Sequence, residues 1–250
     1  LTIIANGNIE KLEGDNVIAY IEGTDKKEEI IVISAHYDHL GKKDGVIYNG
    51  ADDDGSGSVA LIELEEAFSK AINEKGLRPR RSIMIVGFSG EEKGLLGSKY
   101  FVNSPQFQFE RCMVNLNIDM IGRIDKAHEG NPNYVYLIGV DKVSKELKEI
   151  SEEINKSNTK LELDYTYNSD DDPNRYYYRS NHYNFAKYNI PVIFYFNGVH
   201  EDYHKPTDTV DKINFEKMEK ITRLVFLTAW QLANKEERLK IDLKEKDGDN

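Results

Sequence analysis

The sequence predicts an α/β fold with three layers, α/β/α, around a central mixed, mostly parallel twisted sheet. Apolar strand-like runs alternate along the chain with segments whose apolar residues recur at helical spacing. Acidic and imidazole side chains follow directly after several proposed central strands, at the edge where open α/β sheets bind ligands. With 250 residues, 39% of them hydrophobic, the chain is long enough for one such core.

The first part of the chain is predicted to supply edge strands, one central strand and one helix. Apolar runs at 1–5 and 16–22 are separated by turn signals and are typical of edge strands. A β-branched strand follows at 30–35. Segment 58–75 carries apolar residues on one helical face, and Gly76 stands where a C-terminal cap belongs.

The rest of the chain continues the same alternation. Beyond Glu236 it becomes charged and poor in apolar residues, so we expect one domain, 1–236, followed by a frayed charged tail, 237–250. The remaining strands are predicted at 82–88, 113–118, 134–139, 161–167 and 190–196, and the remaining helices at 94–101, 141–156, 182–188 and 214–235.

Composition excludes several classes of function. A net charge of -11 argues against a nucleic-acid partner, and the short basic cluster at 78–81 is expected to be a solvated loop. No apolar run approaches the roughly 20 residues of a transmembrane helix.

The single cysteine, Cys112, is expected to be a buried small hydrophobe. A periplasmic or secreted location is favoured if a leader was removed from the abrupt start, and the oligomeric state stays unknown.

Imidazoles and carboxylates are concentrated in residues 30–57. The strand breaks off into His36-Tyr37-Asp38-His39, and a short loop then delivers three consecutive acids, 52–54. Unshielded like charges repel and resist desolvation, so the triplet indicates either a bound cation or a solvated loop tip.

Five ligand-type side chains, at or after strand ends, predict a metal centre. Two imidazoles and three carboxylates suit Zn²⁺, with Mn²⁺ or Co²⁺ also possible. Five ligands are more than one tetrahedral zinc ion binds. A carboxylate that bridges two metals about 3.5–4 Å apart accounts for all five. The five residues are His36, Asp53, Glu92, Asp119 and His204.

A competing motif, H-E-x-x-H, runs from His200 to His204. It binds zinc only on a helix, where residues four apart share a face. Gly198 before it and Pro206 after it leave room for at most a turn or two of helix. We therefore disfavour the helical zinc-protease interpretation.

The ordered motifs AHYDHLG, NGADDDGSG, FSGEEKGLLGS, NIDMIG and DYHKPTDT resemble those of the co-catalytic di-zinc aminopeptidases, such as bacterial leucyl aminopeptidase. That family includes glutamate carboxypeptidase II-like enzymes and, more distantly, glutaminyl cyclases. The resemblance extends from Ile30 to the helix after Asn214. It implies the zinc-exopeptidase, phosphorylase/hydrolase-like fold.

The resemblance also implies a role for each residue of the centre. His36 and Asp119 correspond to terminal ligands of one zinc. Glu92 and His204 correspond to those of the other, and Asp53 corresponds to the bridging carboxylate.

Other roles follow from the same resemblance. Glu91 corresponds to the general base, and Asp38 corresponds to a residue that orients His36. Tyr203 resembles a tyrosine that donates to the tetrahedral oxyanion. Asn181 stands where many relatives have Asp, and no role is assigned to it.

The implied activity is hydrolysis of the peptide bond next to a free N-terminus. Two Zn²⁺ would polarise the scissile carbonyl and a shared water, while Glu91 takes the water's proton and passes it to the leaving amine. A carboxypeptidase of the same family is an alternative. So is a single-zinc glutaminyl cyclase, which the presence of both His36 and Asp119 disfavours. The intact Glu91-Glu92 pair argues against a non-catalytic binding domain.

The remaining polar candidates are expected to be structural. Asp52 and Asp54 would support the loop backbone through side-chain hydrogen bonds. Segment 170–172 is interpreted as a solvated turn in preference to a weak calcium loop. His39 and His128 are expected to be ordinary surface or loop residues, and His182 to be structural.

Overall fold

The computed structural model describes residues 13–242. In this range the strands are β1 (Val17–Ile21), β2 (Lys26–His36), β3 (Gly41–Lys43), β4 (Val46–Tyr48), β5 (Arg81–Phe88), β6 (Cys112–Ile118), β7 (Tyr134–Ile138), β8 (Glu162–Asp164) and β9 (Val192–Phe196). The helices are α1 (Gly55–Lys75), α2 (Leu96–Asn103), α3 (Lys145–Ser157), α4 (His182–Ala186) and α5 (Phe215–Asn234).

A seven-stranded mixed sheet, in the order β1-β5-β2-β6-β9-β7-β8, forms the middle layer. The four strands β5, β2, β6 and β9 are parallel neighbours, whereas β1 and β7 run antiparallel to β5 and β9. The register pairs His36 with Phe88 and Ile118 with Tyr195. The carboxyl ends of the parallel strands therefore meet at one edge, and the predicted fold class is confirmed.

Alternate residues of β2 supply the apolar cores on the two sheet faces, as the period of a strand requires. Ile31 and Ile33 belong to a core that includes side chains of α1, α3 and α5. Ile30 and Val32 belong to a second core with side chains of α2 and α4. The predicted helix–sheet–helix layering is therefore present.

Helix ends follow local capping chemistry. Gly76 adopts φ 67° and its N–H bonds the carbonyls of Ala71 and Ile72, which confirms the predicted end of α1. Helix α3 begins at Lys145, later than predicted, because the Ser144 side chain accepts a hydrogen bond from Leu147 N. The predicted strand at 161–167 is cut short because Asp164 accepts from Thr166 N at 2.7 Å in a turn. The two-stranded sheet of β3 and β4 was not predicted.

The expected fraying does not begin at residue 237. Leu239 is 5% exposed and belongs to the main core. Asp242 N donates to Val143 O at 2.8 Å. The predicted strand at 1–5 and the remainder of the expected tail, 243–250, lie outside the described residues.

The basic cluster at 78–81 is not a solvated loop, which corrects the prediction. Arg81 is fully buried, pairs with Glu29 and donates to Leu232 O at 3.2 Å. Arg80 pairs with Asp25 at 2.6 Å. Because a buried guanidinium needs partners, the cluster joins the start of β5 to the end of α5.

Two smaller expectations can be compared with the described residues. Cys112 is 3% exposed, as predicted for a small hydrophobe. No helix within 13–242 has the length and apolar character needed to cross a bilayer.

Candidate metal centre

The five predicted ligand residues meet at the carboxyl edge of the central strands. His36 Nε2 lies 3.3 Å from Asp53 Oδ1 and 3.7 Å from Asp119 Oδ1. His204 Nε2 lies 3.0 Å from Asp53 Oδ2 and 3.3 Å from Glu92 Oε2. Side chains that are up to 168 positions apart in the sequence thus face one another.

Asp53 is shared by two groups of ligand atoms. His36, Asp53 and Asp119 form the first group, and His39, Asp53 and Glu92 form the second; within each, the atoms lie within 4.8 Å of one another. The nearest contacts of His36 and His204 are with different Asp53 oxygens. This division is the arrangement that a bridging carboxylate requires.

The donor set fits divalent cations. Asp53 Oδ2 and Glu92 Oε1 are buried and have no hydrogen-bond partner within the described chain, although buried polar atoms are normally satisfied. Burial alone would raise the pKa of Asp53, but His204 and His36 hold this pKa below its ordinary value. The negative charge of Asp53 is therefore stabilised by the neighbouring imidazoles, and a bound zinc ion would stabilise it directly.

The outer acids of the 52–54 triplet hold the backbone around Asp53. Asp54 Oδ2 accepts from His36 N at 3.1 Å, and its Oδ1 accepts from Met120 N at 3.1 Å. Asp52 Oδ1 accepts from Gly122 N at 2.6 Å. The prediction that Asp52 and Asp54 support the loop backbone through side-chain hydrogen bonds is confirmed. These bonds connect the end of β2 to the segment after β6.

Asp208 is a further support that the sequence did not single out. Its Oδ2 accepts from Asp52 N at 3.0 Å and from Asp53 N at 3.2 Å. It is the second Asp of the motif DYHKPTDT, so its motif was noticed but its role was not. It joins the loop of Asp53 to the segment that carries His204.

Asp38 contacts His36 mainly through its backbone carbonyl. His36 Nδ1 lies 2.9 Å from the backbone carbonyl oxygen of Asp38 and 3.7 Å from its carboxylate. That carboxylate instead accepts from the backbone N–H groups of Glu91 at 3.0 Å and Glu92 at 3.4 Å. It therefore positions the loop after β5 as well as the imidazole.

Glu91 lies beside both ligand groups without belonging to either. Burial raises the pKa of Glu91 to about 8, and the carboxylates of Asp119 and Glu92 act in the same direction. The neighbouring Glu92 instead faces His204 and His39. The two adjacent glutamates thus have different surroundings.

Asp119 is oriented by a buried hydrogen-bond chain that the sequence did not reveal. Ser180 Oγ donates to Asp119 Oδ2 at 2.6 Å, and Asn117 Nδ2 donates to Ser180 Oγ at 2.8 Å. With Oδ2 engaged, Oδ1 is the oxygen nearer His36.

The H-E-x-x-H segment is not helical. Residues 201–204 form turns, and His204 has φ 55°. His200 Nε2 contacts Asp52 Oδ2 at 3.2 Å, whereas His204 faces Asp53 and Glu92. The two histidines therefore point to different carboxylates and do not form a shared zinc pair.

A cavity of about 520 Å³ opens at the centre. Its lining includes the carboxylates of Asp53, Glu91, Glu92 and Asp119 and an aromatic wall with Phe194 and Phe196. The cationic side chains Arg179 and Lys187 also line it. Tyr203 belongs to the wall and stacks on His204, with ring centroids 3.9 Å apart.

The family of the chain is identified by comparison with known proteins. The model for Peptidase family M28 matches residues 16–229. The chain belongs to peptidase family M28. A probable leucine aminopeptidase of Arthroderma otae is 29% identical over 240 residues, 92% of this M28 chain and 62% of that protein.

Two further comparisons concern shorter matches or the fold alone. A glutamate carboxypeptidase 2 homologue of Caenorhabditis briggsae is 33% identical over 122 residues, 48% of the M28 chain and 15% of that protein. The structure of BSAP, a zinc aminopeptidase from Bacillus subtilis, gives a TM-score of 0.69 at 24% identity and shares the fold. The match covers 89% of the M28 chain and 51% of the BSAP chain. The M28 chain thus spans less than two thirds of the length of these relatives.

Two histidine predictions for the M28 chain are wrong. His39 is no ordinary loop residue, because its Nδ1 lies 3.0 Å from Glu92 Oε1. His128 is 9% exposed, stacks on Tyr134 at 3.5 Å and contacts Asp125 at 2.8 Å. No local signal separates these residues from surface histidines, since their surroundings come from distant segments.

The neighbouring Asn181 and His182 are both fully buried. His182 stacks on Phe194 with ring centroids 4.8 Å apart and belongs to neither ligand group, in line with a structural role. The side-chain atoms of Asn181 have no hydrogen-bond partner within 13–242. The segment 170–172 contributes to neither ligand group.

Proposed function

We propose that this M28 chain is a zinc-dependent aminopeptidase that hydrolyses the N-terminal peptide bond of peptides. One observation carries the proposal: Asp53 is shared by two ligand groups, and Glu91 lies beside them in the same cavity without joining either. The arrangement supports two metal positions and one free carboxylate for proton transfer.

Two zinc positions account for the ligand set. His36, Asp53 and Asp119 would hold one ion, and Asp53, Glu92 and His204 would hold the other. Bound zinc supplies Lewis acidity for the scissile carbonyl and lowers the pKa of water in the site.

Glu91 acts as the general base and then as the general acid. Its carboxylate takes one proton of the attacking water, whose oxygen bonds the scissile carbonyl carbon, and then delivers that proton to the amide nitrogen as the C–N bond breaks. Asp38 supports this role because its carboxylate accepts the backbone N–H of Glu91 and so holds the loop that carries the base.

Tyr203 donates a hydrogen bond to the oxyanion. Its hydroxyl oxygen already accepts from Arg179 Nη2 at 3.3 Å, so the hydroxyl hydrogen is available for another acceptor. Its position in the cavity wall supports donation to charge that develops on the substrate.

Peptides with a free N-terminus suit the acidic part of the cavity. A protonated α-amine is attracted by the surrounding carboxylates, and the apolar wall offers contacts for a hydrophobic first side chain. We therefore expect neutral, large first residues to be cleaved better than acidic ones.

A panel of aminoacyl fluorogenic substrates, assayed with and without chelator, tests this proposal. We expect hydrolysis that the chelator abolishes and zinc restores, with about two zinc ions per purified chain. A matched N-acetylated substrate should resist cleavage. One zinc per chain together with cyclisation of a glutaminyl peptide would favour the glutaminyl cyclase alternative. Hydrolysis that persists in metal-free protein would contradict the proposal.

A carboxypeptidase of the same family is a second candidate, favoured by the cations that line the cavity. Within residues 13–242 Arg179 forms no ion pair; its guanidinium stacks over Tyr176, 5.0 Å from the ring centroid, and bonds Tyr203. Lys187 Nζ bonds the Asn184 side chain at 2.9 Å. Both cations could receive a substrate carboxylate.

Replacement of Arg179 by alanine measures this contribution. We expect kcat/KM for the dipeptide Leu-Leu to fall roughly 10–150-fold, mainly through KM, because a hydrogen bond to a charged group contributes about 1.5–3 kcal/mol. Leu-Leu amide should change far less. Arg175→Ala is the matched control because Arg175 also stacks on a tyrosine of the cavity wall, Tyr178, but does not itself line the cavity. Equal losses for the two substrates would show that Arg179 does not bind the carboxylate.

A further inference from the structure

His39 is held inside the metal centre by its surroundings. Its side chain is 9% exposed, and its ring packs on Gly50, which has φ 63°. A Cβ at position 50 would lie 2.5 Å from His39 Cγ, so the missing side chain is what leaves room for the imidazole. The ring position is therefore built into the loop between β2 and α1.

The imidazole of His39 lies close to Asp53 and Glu92, the other two members of its ligand group, without an aligned hydrogen bond to either. Nδ1 lies 3.0 Å from Glu92 Oε1 and 3.9 Å from Asp53 Oδ2. Nevertheless, neither ring nitrogen has a hydrogen-bond partner in the described part of the chain, nor does Glu92 Oε1. Short contacts without hydrogen-bond alignment are expected of donors that face a common cation.

His39 and His204 approach different oxygens of Glu92. His204 Nε2 lies 3.3 Å from Oε2, whereas His39 Nδ1 lies 3.0 Å from Oε1. The two rings meet edge to face with centroids 5.8 Å apart. Two imidazoles and two carboxylates thus surround one position.

We propose that His39 is a metal ligand, which together with Asp53, Glu92 and His204 binds the second cation. This inference rests on the two-metal site of the proposed function and adds a ligand to it. Two nitrogen and two carboxylate ligands form a complete zinc set, whereas His36, Asp53 and Asp119 supply only three ligands to the first position. The second position is therefore the tighter of the two, and the first retains more room for water and substrate.

The test compares His39→Ala with the wild-type holoenzyme and with His128→Gln, a control at a histidine of similar exposure outside both ligand groups. Zinc affinity of each position is measured by chelator competition, and the cobalt-substituted proteins are compared by visible absorption. Loss of an outer-shell partner alone weakens metal binding roughly 10–100-fold. For His39→Ala we expect at least about a hundredfold weakening of the tighter position, together with shifted cobalt bands. The control should match the wild type in both measurements.

Two results would overturn the inference. One is unchanged affinity at both positions. The other is weakened affinity with unchanged cobalt bands, because His39 would then act only by orienting Glu92. Circular dichroism of the metal-free variant shows whether it is folded, and His39→Gln serves as the second variant if the alanine protein is not. A wild-type protein that binds no zinc would instead contradict the proposed function itself.

Discussion

Glu91→Gln is expected to reduce kcat by at least about a hundredfold and up to about 10⁴-fold, the range of general acid–base catalysis. Glutamine has nearly the same shape but cannot accept the water's proton. Because Glu91 belongs to neither ligand group, zinc content should remain that of the wild type. Steady-state kinetics and metal analysis on the same preparation measure both quantities.

Glu201→Gln is the matched control for this substitution. Glu201 is exposed, does not line the cavity, and would be the base if the H-E-x-x-H segment were the active site. We expect its activity to equal that of the wild type. Full turnover by Glu91→Gln, or a loss of zinc from it, would refute the assignment of the base.

Asp53→Asn is expected to weaken zinc binding at both positions and to abolish hydrolysis. Asparagine keeps the shape but removes the charge that both groups share. Loss of a residue that only hydrogen-bonds to a metal ligand lowers metal affinity roughly 10–100-fold. Loss of a ligand that both metals share should therefore lower the affinity of each position at least about a hundredfold. Metal analysis after dialysis measures the effect.

Thermal unfolding gives an independent measurement for the same variant. Zinc at a hundred times its Kd stabilises a protein by about 2.7 kcal/mol through mass action. We expect this zinc-dependent rise in Tm in the wild type and its absence in Asp53→Asn. Asp125→Asn is the control: Asp125 is 5% exposed, against 3% for Asp53, and it binds His128 and Tyr136 away from both ligand groups. A variant of Asp53 that retains both ions at wild-type affinity would exclude the bridge.

The fold class could be predicted from sequence because it depends on short-range patterns. The apolar run of β2 and the helical spacing of α1 are local properties, and Gly76 marks a helix end through its own backbone freedom. Boundaries were less accurate where a side chain competes with the regular backbone. Ser144 delays α3, and Asp164 ends β8, through single hydrogen bonds.

The neighbours of the site residues were harder to predict than the residues themselves. Asp208, Ser180 and Gly50 support Asp53, Asp119 and His39 respectively, from segments far away in the chain or across a loop. Nothing in their own local sequence indicates these contacts. The buried position of Arg81 was missed for the same reason, since its partners lie on β2 and α5.

The sequence by itself determined the α/β/α class and the five residues that converge on one sheet edge. It could do so because strand ends and ligand-type residues are both visible in short motifs, and parallel strands bring their carboxyl ends together. Only the tertiary structure decided which Asp53 oxygen lies nearest each imidazole, that Asp38 meets His36 through its carbonyl, and that His39 enters the site while His200 does not. Those outcomes depend on side-chain direction, which packing against distant segments sets and a linear motif does not encode.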